Sequence, residues 1–385
     1  MTALPNHAAV IIVGGGIHGL MLAFCLAERG QKDIVVLDAG YWQGGASGRN
    51  GTLVRGGFAS PEWTHFFAHS LDLWIGLSKR LGENVMFTRR GYAVVAETER
   101  SLGVLETMIA THKACGVASN LLSRHRIAEV LPAADHSLIR GVLHFDRAGT
   151  APHHAAMKAL RHACERMGVR LFYQTPVTGF ERQGDRVAGV RCGERPIAAD
   201  LTAIACGAQN MDVAALAGVE LEGHPMRIEA MASEPLRRVI QPGVALIDRY
   251  TYLHQTGRGE IVGGSEIEGE TPQRGLATTI PIMAAYARHL TAMFPALASL
   301  RILRHWTGML HVTPDHGPVM GPHPDVRDLW FSAGWMYGIA GAPAAGQLLA
   351  KAMLTGEIDA RIRPFAVDRF RRGALVQESS TVNTD

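Results

Sequence analysis

The hydrophobic positions nearest the start of the chain predict a strand, a turn and a helix in immediate succession. Four β-branched residues in a row, at positions 10–13, indicate a buried strand, and an apolar helical run follows from Leu20 to Glu28. A second apolar strand, at positions 34–37, ends in Asp38. This order of elements predicts a βαβ unit within an α/β domain.

The turn between the first strand and the helix has the spacing Gly14-x-Gly16-x-x-Gly19. Glycines so spaced allow a tight turn, a close approach of the backbone to a pyrophosphate, and close packing of the helix on the strand. Asp38 lies 19 residues past Gly19, about where a carboxylate binds a ribose hydroxyl. The pattern predicts a dinucleotide site, against the simpler alternative of a plain glycine-rich turn, and leaves nicotinamide and flavin both open.

The rest of the pattern predicts helices separated by strand-rich regions. Helices are expected at 61–81, 99–115, 123–130, 155–167, 281–293 and 344–354; strands dominate 169–205, 226–263, 306–310 and 329–334, and 87–96 has the pattern of a hairpin. The chain is expected to be interleaved, with a nucleotide-binding domain from 1–83, 146–214 and 303–370 and a second domain from 84–145 and 215–302. The polar stretch 371–385 is expected to be a loose tail.

Composition and charge argue against several functional classes. The 385 residues are 47% hydrophobic and 19% charged, and the formal net charge of +3 is too small to indicate nucleic acid or an anionic membrane surface as a partner. The apolar run at 8–27 contains three consecutive glycines and no preceding basic segment, so we expect neither a membrane span nor a signal peptide. Five cysteines without CxxC spacing favour a cytoplasmic location, and the spacing of the 18 histidines predicts no metal site.

Further motifs carry a resemblance to a known family. They are residues 14–20, 48–55, 73–78, 87–91, 149–153, 252–255 with 259–263, and 313–315 with Pro318 and Gly321. With them the chain resembles the FAD-dependent D-amino-acid-oxidase-like superfamily over nearly its whole length. Within it, the chain is most similar to the β subunit of heteromeric sarcosine oxidase and to the catalytic subunits of proline, hydroxyproline and opine dehydrogenases.

The resemblance implies a fold, a cofactor and the residues that bind it. The fold would be an FAD-binding, Rossmann-like βαβ domain with an interleaved α+β substrate domain built on an antiparallel sheet. FAD would bind noncovalently, because residues 307–309 lack the cysteine that attaches FAD in monomeric sarcosine oxidases. The implied FAD-binding residues are Gly14, Gly16, Ile17, His18, Gly19, Asp38, Ser47, Arg49, Asn50, Gly51, Val177, Gly207, Gly308, Gly334, Gly338, Ile339 and Ala340.

The implied reaction is oxidation of the C–N bond of a small secondary amine or N-substituted amino acid by hydride transfer to FAD. Arg55 matches a carboxylate-binding arginine of relatives, and a guanidinium can hold a carboxylate through two parallel bonds, although a surface or ion-pair role is the alternative. Tyr252 and His254 share one face of a predicted strand and could line the pocket or be purely structural. Ile261 and Val262 stand where monomeric oxidases carry a lysine that promotes reaction with oxygen, which favours electron transfer to a partner.

The resemblance also implies other subunits and a second flavin. Heteromeric enzymes attach FMN to a histidine of the β subunit just after a Gly-Thr pair, and His153 follows Gly149-Thr150 in this way. FMN would then lie at a subunit interface near His153, whereas the alternative is that polar residues simply open a helix there. Two other functions stay open: a glycine oxidase or cyanide-forming glycine dehydrogenase, and a non-catalytic FAD-binding subunit.

Overall fold

A computed structural model describes residues 3–267 and 274–380, whose strands form two eight-stranded sheets and one two-stranded sheet. The strands are β1 (His7–Val13), β2 (Ile34–Leu37), β3 (Leu53–Val54), β4 (Tyr92–Ala96), β5 (Asn120–Leu121), β6 (Gly141–Phe145), β7 (Gly149–Thr150), β8 (Arg170–Phe172), β9 (Gly179–Gln183), β10 (Arg186–Cys192), β11 (Arg195–Ile204), β12 (His224–Pro235), β13 (Gly243–Leu246), β14 (Thr251–Gln255), β15 (Glu260–Ser265), β16 (Ile302–Val312), β17 (Val319–Pro322) and β18 (Leu329–Ala333). The α-helices are α1 (Ile17–Glu28), α2 (Pro61–Leu81), α3 (Glu99–Ala114), α4 (Arg124–Val130), α5 (His153–Arg166), α6 (Asn210–Leu216), α7 (Ile280–Met293) and α8 (Gly338–Thr355).

The first sheet contains the βαβ unit and has the strand order β17-β18-β11-β1-β2-β8, with β10 and β9 attached beyond β11. β1 lies between β2 and β11 and runs parallel to both. The chain leaves β1 toward one side of the sheet and later returns on the other. In such sheets ligands bind at the carboxyl ends of the strands where the order reverses, which here is the end of β1 beside Gly14.

One hydrophobic core lies between this sheet and the helices α1, α2, α5 and α8. It includes Leu22, Trp74, Leu160 and Leu349, one buried residue from each helix. α2 begins with Ser60 as N-cap and Pro61 in its first turn, and ends at Gly82, whose φ of 67° stops the helix. These helices fix the N-terminal ends of α1 and α8 near the edge of the sheet.

The second sheet has the order β16-β12-β15-β14-β13-β4-β6-β5 and pairs antiparallel except between β4 and β13. Its own core combines residues of α7, such as Tyr286 and Leu290, with Val244 and Leu253 of the sheet. A mixed sheet with parallel central strands covered by helices, next to a largely antiparallel sheet, confirms the predicted fold class.

Three expectations about individual segments are wrong. Residues 87–96 form no hairpin, because β4 pairs with β6 and β13, two strands that lie much later in the chain. The boundary at residue 303 is also wrong, since β16 pairs with β12 along the second sheet. The glycine-rich residues 338–341, expected to precede the last helix, form its first turn.

The tail is not loose within the residues that the structure describes, which end at 380. Val376, Glu378 and Ser380 are buried, and the Val376 N–H donates to Asp315 at 3.0 Å. The polar composition of this stretch suggested solvent exposure, but its polar groups have buried partners. Residues 381–385 of the expected tail lie outside the described residues.

Candidate active site

The glycine-rich turn after β1 is held by contacts between backbones. Gly14 has a φ of 109°, and a Cβ there would lie against the carbonyl of Ala205 at the end of β11. A Cβ on Gly19 would lie against the carbonyl of Gly14 itself. The two glycines therefore let α1, β1 and β11 meet more closely than any side chain would permit.

Asp38, at the end of β2, is fixed beside this turn. Its carboxylate accepts hydrogen bonds from the N–H groups of Gly15 at 2.6 Å and Gly40 at 2.8 Å. The segment that carries Val177 leaves β8 next to it, since Thr175 N–H donates to the Asp38 carbonyl. Each carboxylate oxygen keeps a second lone pair, so Asp38 can still accept from a hydroxyl such as that of a ribose.

The N-terminus of α1 has no side-chain cap at Gly16, while the Ile17 N–H donates to Ser47 Oγ at 2.9 Å. His18 stacks on Trp335 with ring centroids 4.1 Å apart, and its Nδ1 lies 3.3 Å from Ser332 Oγ. Burial lowers the pKa of His18 to about 3, so the ring is neutral at pH 7. His18 thus joins α1 to the segment that leads into α8.

The start of α8 forms the second uncapped helix N-terminus of the site. Its first-turn carbonyls are tied to α2: Ile339 accepts from Trp74 Nε1 at 3.0 Å and Ala340 from Ser70 Oγ at 2.6 Å. A Cβ on Gly338 would lie 3.3 Å from His18 Nε2, which shows how close the two helix starts are.

Gly207 and Gly334 follow β11 and β18 at the same edge of the sheet, with φ values of 59° and 67°. Unlike most residues, glycine adopts these angles without strain. The strand ends, the two helix starts and Asp38 therefore lie together at one edge of the sheet. Two helix N-termini without side-chain caps and the remaining lone pairs of the Asp38 carboxylate fit the pyrophosphate and ribose of FAD, the cofactor that the resemblance implies.

The loop after β2 is braced by its own side chains. Asn50 Nδ2 donates to the Ser47 carbonyl at 2.7 Å, and Asn50 Oδ1 accepts from the Thr52 N–H at 2.8 Å. Arg49 is anchored to β16, because its carbonyl accepts from Trp306 Nε1 at 2.9 Å and its Cβ lies near Gly308. The loop that follows β2 in the first sheet is thus anchored on β16 of the second sheet.

Arg55 follows β3 and is a buried cation. It is 5% exposed, and its guanidinium carbon lies 4.1 Å from the ring centre of Phe58, 5.2 Å from that of Tyr337 and 5.4 Å from that of Tyr92. Within residues 3–267 and 274–380 no carboxylate pairs with it, and its Nε has no hydrogen-bond partner. Because a buried charge without a counter-ion is costly, this arrangement is suited to an anionic group of a ligand.

Tyr252 and His254 both lie against the loop that leads to Arg55. A Cβ on Gly51 would lie 2.7 Å from the Tyr252 hydroxyl, and His254 Nε2 is 3.0 Å from Thr52 Oγ1. Burial lowers the pKa of His254 to about 4 and raises that of Tyr252, so both side chains are neutral at pH 7.

His153 is the first residue of α5. Its Nε2 is 3.1 Å from His154 Nε2, and His154 in turn contacts Gln43. Burial lowers the pKa of His153 to about 4, and its Nδ1 has no partner in the described structure.

The sequence reasoning missed the aromatic surroundings of Arg55. The sequence alone assigns no role to Phe58, Tyr92 or Tyr337 beside Arg55. The spacing Arg55-x-x-Phe58 is a local signal that could have indicated the first contact. Tyr92 lies on β4 of the second sheet, and Tyr337 directly precedes α8. Both are far from Arg55 along the chain, so no spacing in the sequence relates them to it.

Metal binding and membrane insertion find no structural support in the part of the chain that the structure describes. No group of three or more His, Cys, Asp or Glu side chains there could hold a metal ion. No helix in that part is both long enough and apolar enough to cross a bilayer.

Known proteins match the chain over nearly its entire length. A family model described as FAD dependent oxidoreductase matches residues 9–352. The sarcosine oxidase subunit beta of Rhizobium meliloti (strain 1021) is 32% identical over 380 residues, covering 97% of this chain and 90% of that protein. The subunit of the same name from Arthrobacter sp is 32% identical over 381 residues, covering 96% and 92%. The crystal structure of L-proline dehydrogenase from P. horikoshii superposes with a TM-score of 0.92 at 27% identity, covering 97% of this chain and all of that one.

Proposed function

The chain belongs to the family of FAD-dependent oxidoreductases, and from that premise we propose that it oxidises the C–N bond of a small secondary amine that carries a carboxylate. The proposed substrates are N-substituted amino acids of the sarcosine, proline, hydroxyproline or opine type. The name of one similar protein, a sarcosine oxidase subunit, and that of another, an L-proline dehydrogenase, support this chemical class. The observation that carries the proposal is the buried guanidinium of Arg55, which pairs with no carboxylate among the residues that the structure describes and whose Nε has no hydrogen-bond partner there.

We propose that Arg55 holds the substrate carboxylate. Binding would supply the counter-ion that the guanidinium lacks, so recognition and charge compensation coincide. The guanidinium is surrounded by the aromatic rings of Phe58, Tyr92 and Tyr337. These rings leave little space for water around it. A small apolar group on the substrate, such as the ring of proline or the methyl group of sarcosine, would suit these surroundings.

The neutral groups of the site favour an uncharged amine. Burial raises the pKa of Tyr337 to about 12 and keeps His254 unprotonated, so neither offers a charge to an ammonium ion. An apolar environment also disfavours the protonated amine of the substrate itself. FAD, when bound, supplies the two-electron acceptor; the chain's part is to fix the carboxylate and exclude water.

FAD would be held by the residues of the glycine-rich turn, Asp38, the braced loop and the start of α8. We propose noncovalent binding, since Gly308 and its neighbours on β16 include no cysteine. Ile261 and Val262 on β15 support a dehydrogenase that passes electrons to a partner rather than a direct oxidase. The five cysteines, all free of disulfides, are compatible with work in the cytoplasm.

We further propose that the chain acts within a heteromeric complex, in which FMN lies at a subunit interface near His153. The support is the name of the similar proteins, which are subunits, and the unpartnered Nδ1 of His153. Acid precipitation of the purified complex tests the covalent form. Flavin should stay in the pellet of the wild type and be absent from that of His153→Gln. A flavin-free wild-type pellet would contradict a covalent FMN.

The proposed function is tested by an anaerobic screen of sarcosine, proline, hydroxyproline, an opine and glycine, with flavin absorbance as the signal. A secondary amino acid should bleach the flavin fastest. Fastest bleaching by glycine would instead support a glycine oxidase or cyanide-forming glycine dehydrogenase. Purified protein that holds FAD but is bleached by none of these compounds would support the non-catalytic subunit.

A further inference from the structure

We propose that Glu378, in the C-terminal segment, is a positioning residue for the substrate carboxylate and acts on Arg55 through Phe58. The inference rests on the proposed role of Arg55. It assigns a task to a buried carboxylate that lies more than three hundred residues away along the chain.

Glu378 holds the backbone that follows Arg55. It is 6% exposed, and its two carboxylate oxygens accept hydrogen bonds from the N–H groups of Ala59 at 2.9 Å and Ser60 at 2.8 Å. Ser60 is the N-cap of α2, so the carboxylate also lies at the positive end of a 21-residue helix. Two charge-assisted bonds from one side chain fix both the position and the orientation of this peptide segment.

The same short segment is held by two further side chains at Phe58. Thr64 Oγ1 accepts from the Phe58 N–H at 3.1 Å and donates to its carbonyl at 3.0 Å. His112 Nε2 lies 2.9 Å from that carbonyl, and its Nδ1 lies 2.8 Å from Ser119 Oγ. Phe58 therefore has little freedom to move along the chain direction, and Glu378 fixes the two residues that follow it.

Phe58 transmits this fixation to the substrate site. Its ring lies directly under the guanidinium of Arg55, at 4.1 Å, and against the ring of Tyr337, with centroids 5.2 Å apart. Arg55 has no hydrogen-bonded carboxylate to hold its side chain in the described structure, so stacking on Phe58 is its nearest support. A displaced Phe58 would leave the charge in place but turn the fork away from the substrate carboxylate.

The remainder of the C-terminal segment gives Glu378 a fixed base. The Val376 N–H donates to Asp315 Oδ2, and Asp315 is paired with the buried Arg369. The segment is thereby attached at two points, one on the Asp315–Arg369 pair and one on the start of α2. Loss of the second point alone should loosen the Arg55 side of the site without dismantling the first.

The test compares the wild type with Glu378→Gln in the full-length protein carrying FAD. Glutamine keeps the shape of the side chain but replaces one acceptor with an NH2 group, so one of the two N–H bonds is lost. We expect the KM for sarcosine, and the Kd for the analogue pyrrole-2-carboxylate from the change in flavin absorbance, to rise about tenfold. We expect kcat to change less than about twofold and FAD content to be unchanged. Hydrogen exchange at the Ala59 and Ser60 amides should become faster.

The matched control is Glu357→Gln, which changes a glutamate whose side chain is 70% exposed near the end of α8. Glu378→Asp, which is too short to reach both N–H groups, provides a second variant in case Glu378→Gln folds poorly. Unchanged exchange at Ala59 and Ser60 would show that Glu378 does not hold these two N–H groups and would overturn the proposal. Faster exchange with unchanged KM and Kd, or a parallel fall of kcat and FAD content, would overturn the positioning role. Failure of the proposed function itself would be visible in the wild type, which would then neither bind pyrrole-2-carboxylate nor be bleached by sarcosine.

Discussion

The two ends of the site are held together in different ways. At the phosphate end, Gly14 and Gly19 bring backbone against backbone, and the contacting elements are β1, α1 and β11. At the substrate end, the segment from Arg55 to Ser60 is held by side chains from α2, α3 and the C-terminal segment. Close packing of backbone on backbone shapes the first end, whereas side chains from distant parts of the chain brace the second.

This difference predicts which end of the site tolerates substitution. The glycine-rich turn that we propose for the pyrophosphate leaves no room for a side chain at Gly14 or Gly19. A site braced by side chains can be altered by one substitution at a time. The substrate end is thus where specificity can change while the cofactor stays bound.

The largest effect is expected from adding one methyl group to the glycine-rich turn at the phosphate end. Gly19→Ala places a Cβ against the Gly14 carbonyl, so we expect it to abolish stable FAD binding, measured as flavin absorbance per purified chain. The control is Gly103→Ala in α3, where a Cβ meets nothing within 4 Å. It should keep its FAD and gain up to about 1 kcal/mol of stability. Full flavin content in Gly19→Ala would show that the turn is not held by backbone contact.

The next largest effect is expected at the base of the C-terminal segment. Asp315→Ala leaves Arg369, whose side chain is fully buried, without its carboxylate. Breaking such a pair should lower the free energy of unfolding by about 3–5 kcal/mol, measured by urea denaturation. The exposed pair Arg371–Asp325 offers the control, since Asp325→Ala should cost no more than about 1 kcal/mol.

The same pair predicts how stability depends on pH. Burial alone would raise the pKa of Asp315, but hydrogen bonds and charge from Arg369 outweigh it and hold that pKa below its ordinary value. The contribution should be fully present above the ordinary pKa of about 4 and be lost as pH falls through the lower folded value. Denaturation measured from pH 7 to pH 3 should therefore show a steeper loss in the wild type than in Asp315→Ala. Parallel curves would contradict the assignment.

A smaller change sharpens the comparison at the boundary between the two ends. In Gly51→Ala the added Cβ would lie 2.5 Å from the Tyr252 ring, which must then shift. Because a side chain can yield where a backbone cannot, we expect FAD to stay bound and kcat/KM to fall about tenfold. If the effect acts through the ring, Gly51→Ala and Tyr252→Leu should be strongly non-additive. Simple additivity would remove Tyr252 from the explanation.

The sequence predicted the geometry of the glycine-rich turn well because its signals are local. Gly14, Gly16, Gly19 and Asp38 follow a spacing that a βαβ unit imposes, and the structure places all four at the carboxyl edge of one sheet. The resemblance selected Arg55, although only the structure describes a buried guanidinium without an ion pair among the described residues. Tyr252 and His254 do lie against one loop, as the two-residue period of a strand indicated.

The sequence could not predict what holds the substrate end. His112 and Phe58 are 54 residues apart in the sequence, and Glu378 and Ala59 are 319 residues apart. Periodicity and motif spacing predict contacts only between residues much closer in sequence. The polarity of the C-terminal residues predicted an exposed tail, whereas Glu378 is buried. A sequence does not show whether a carboxylate is buried or exposed. The placement of residues from 303 onward in the nucleotide-binding domain failed for a related reason, because β12, the strand that pairs with β16, lies about 70 residues earlier in the chain.

The central claim is that Arg55 recognises the carboxylate of an amine that the flavin oxidises. It is tested most directly by measuring anaerobic flavin reduction with sarcosine and with dimethylamine, which lacks the carboxylate, in the wild type and in Arg55→Ala. We predict that the substitution lowers kcat/KM for sarcosine about a thousandfold, changes that for dimethylamine less than about threefold, and leaves FAD bound. An equal loss for both amines, or no loss for sarcosine, would contradict the account.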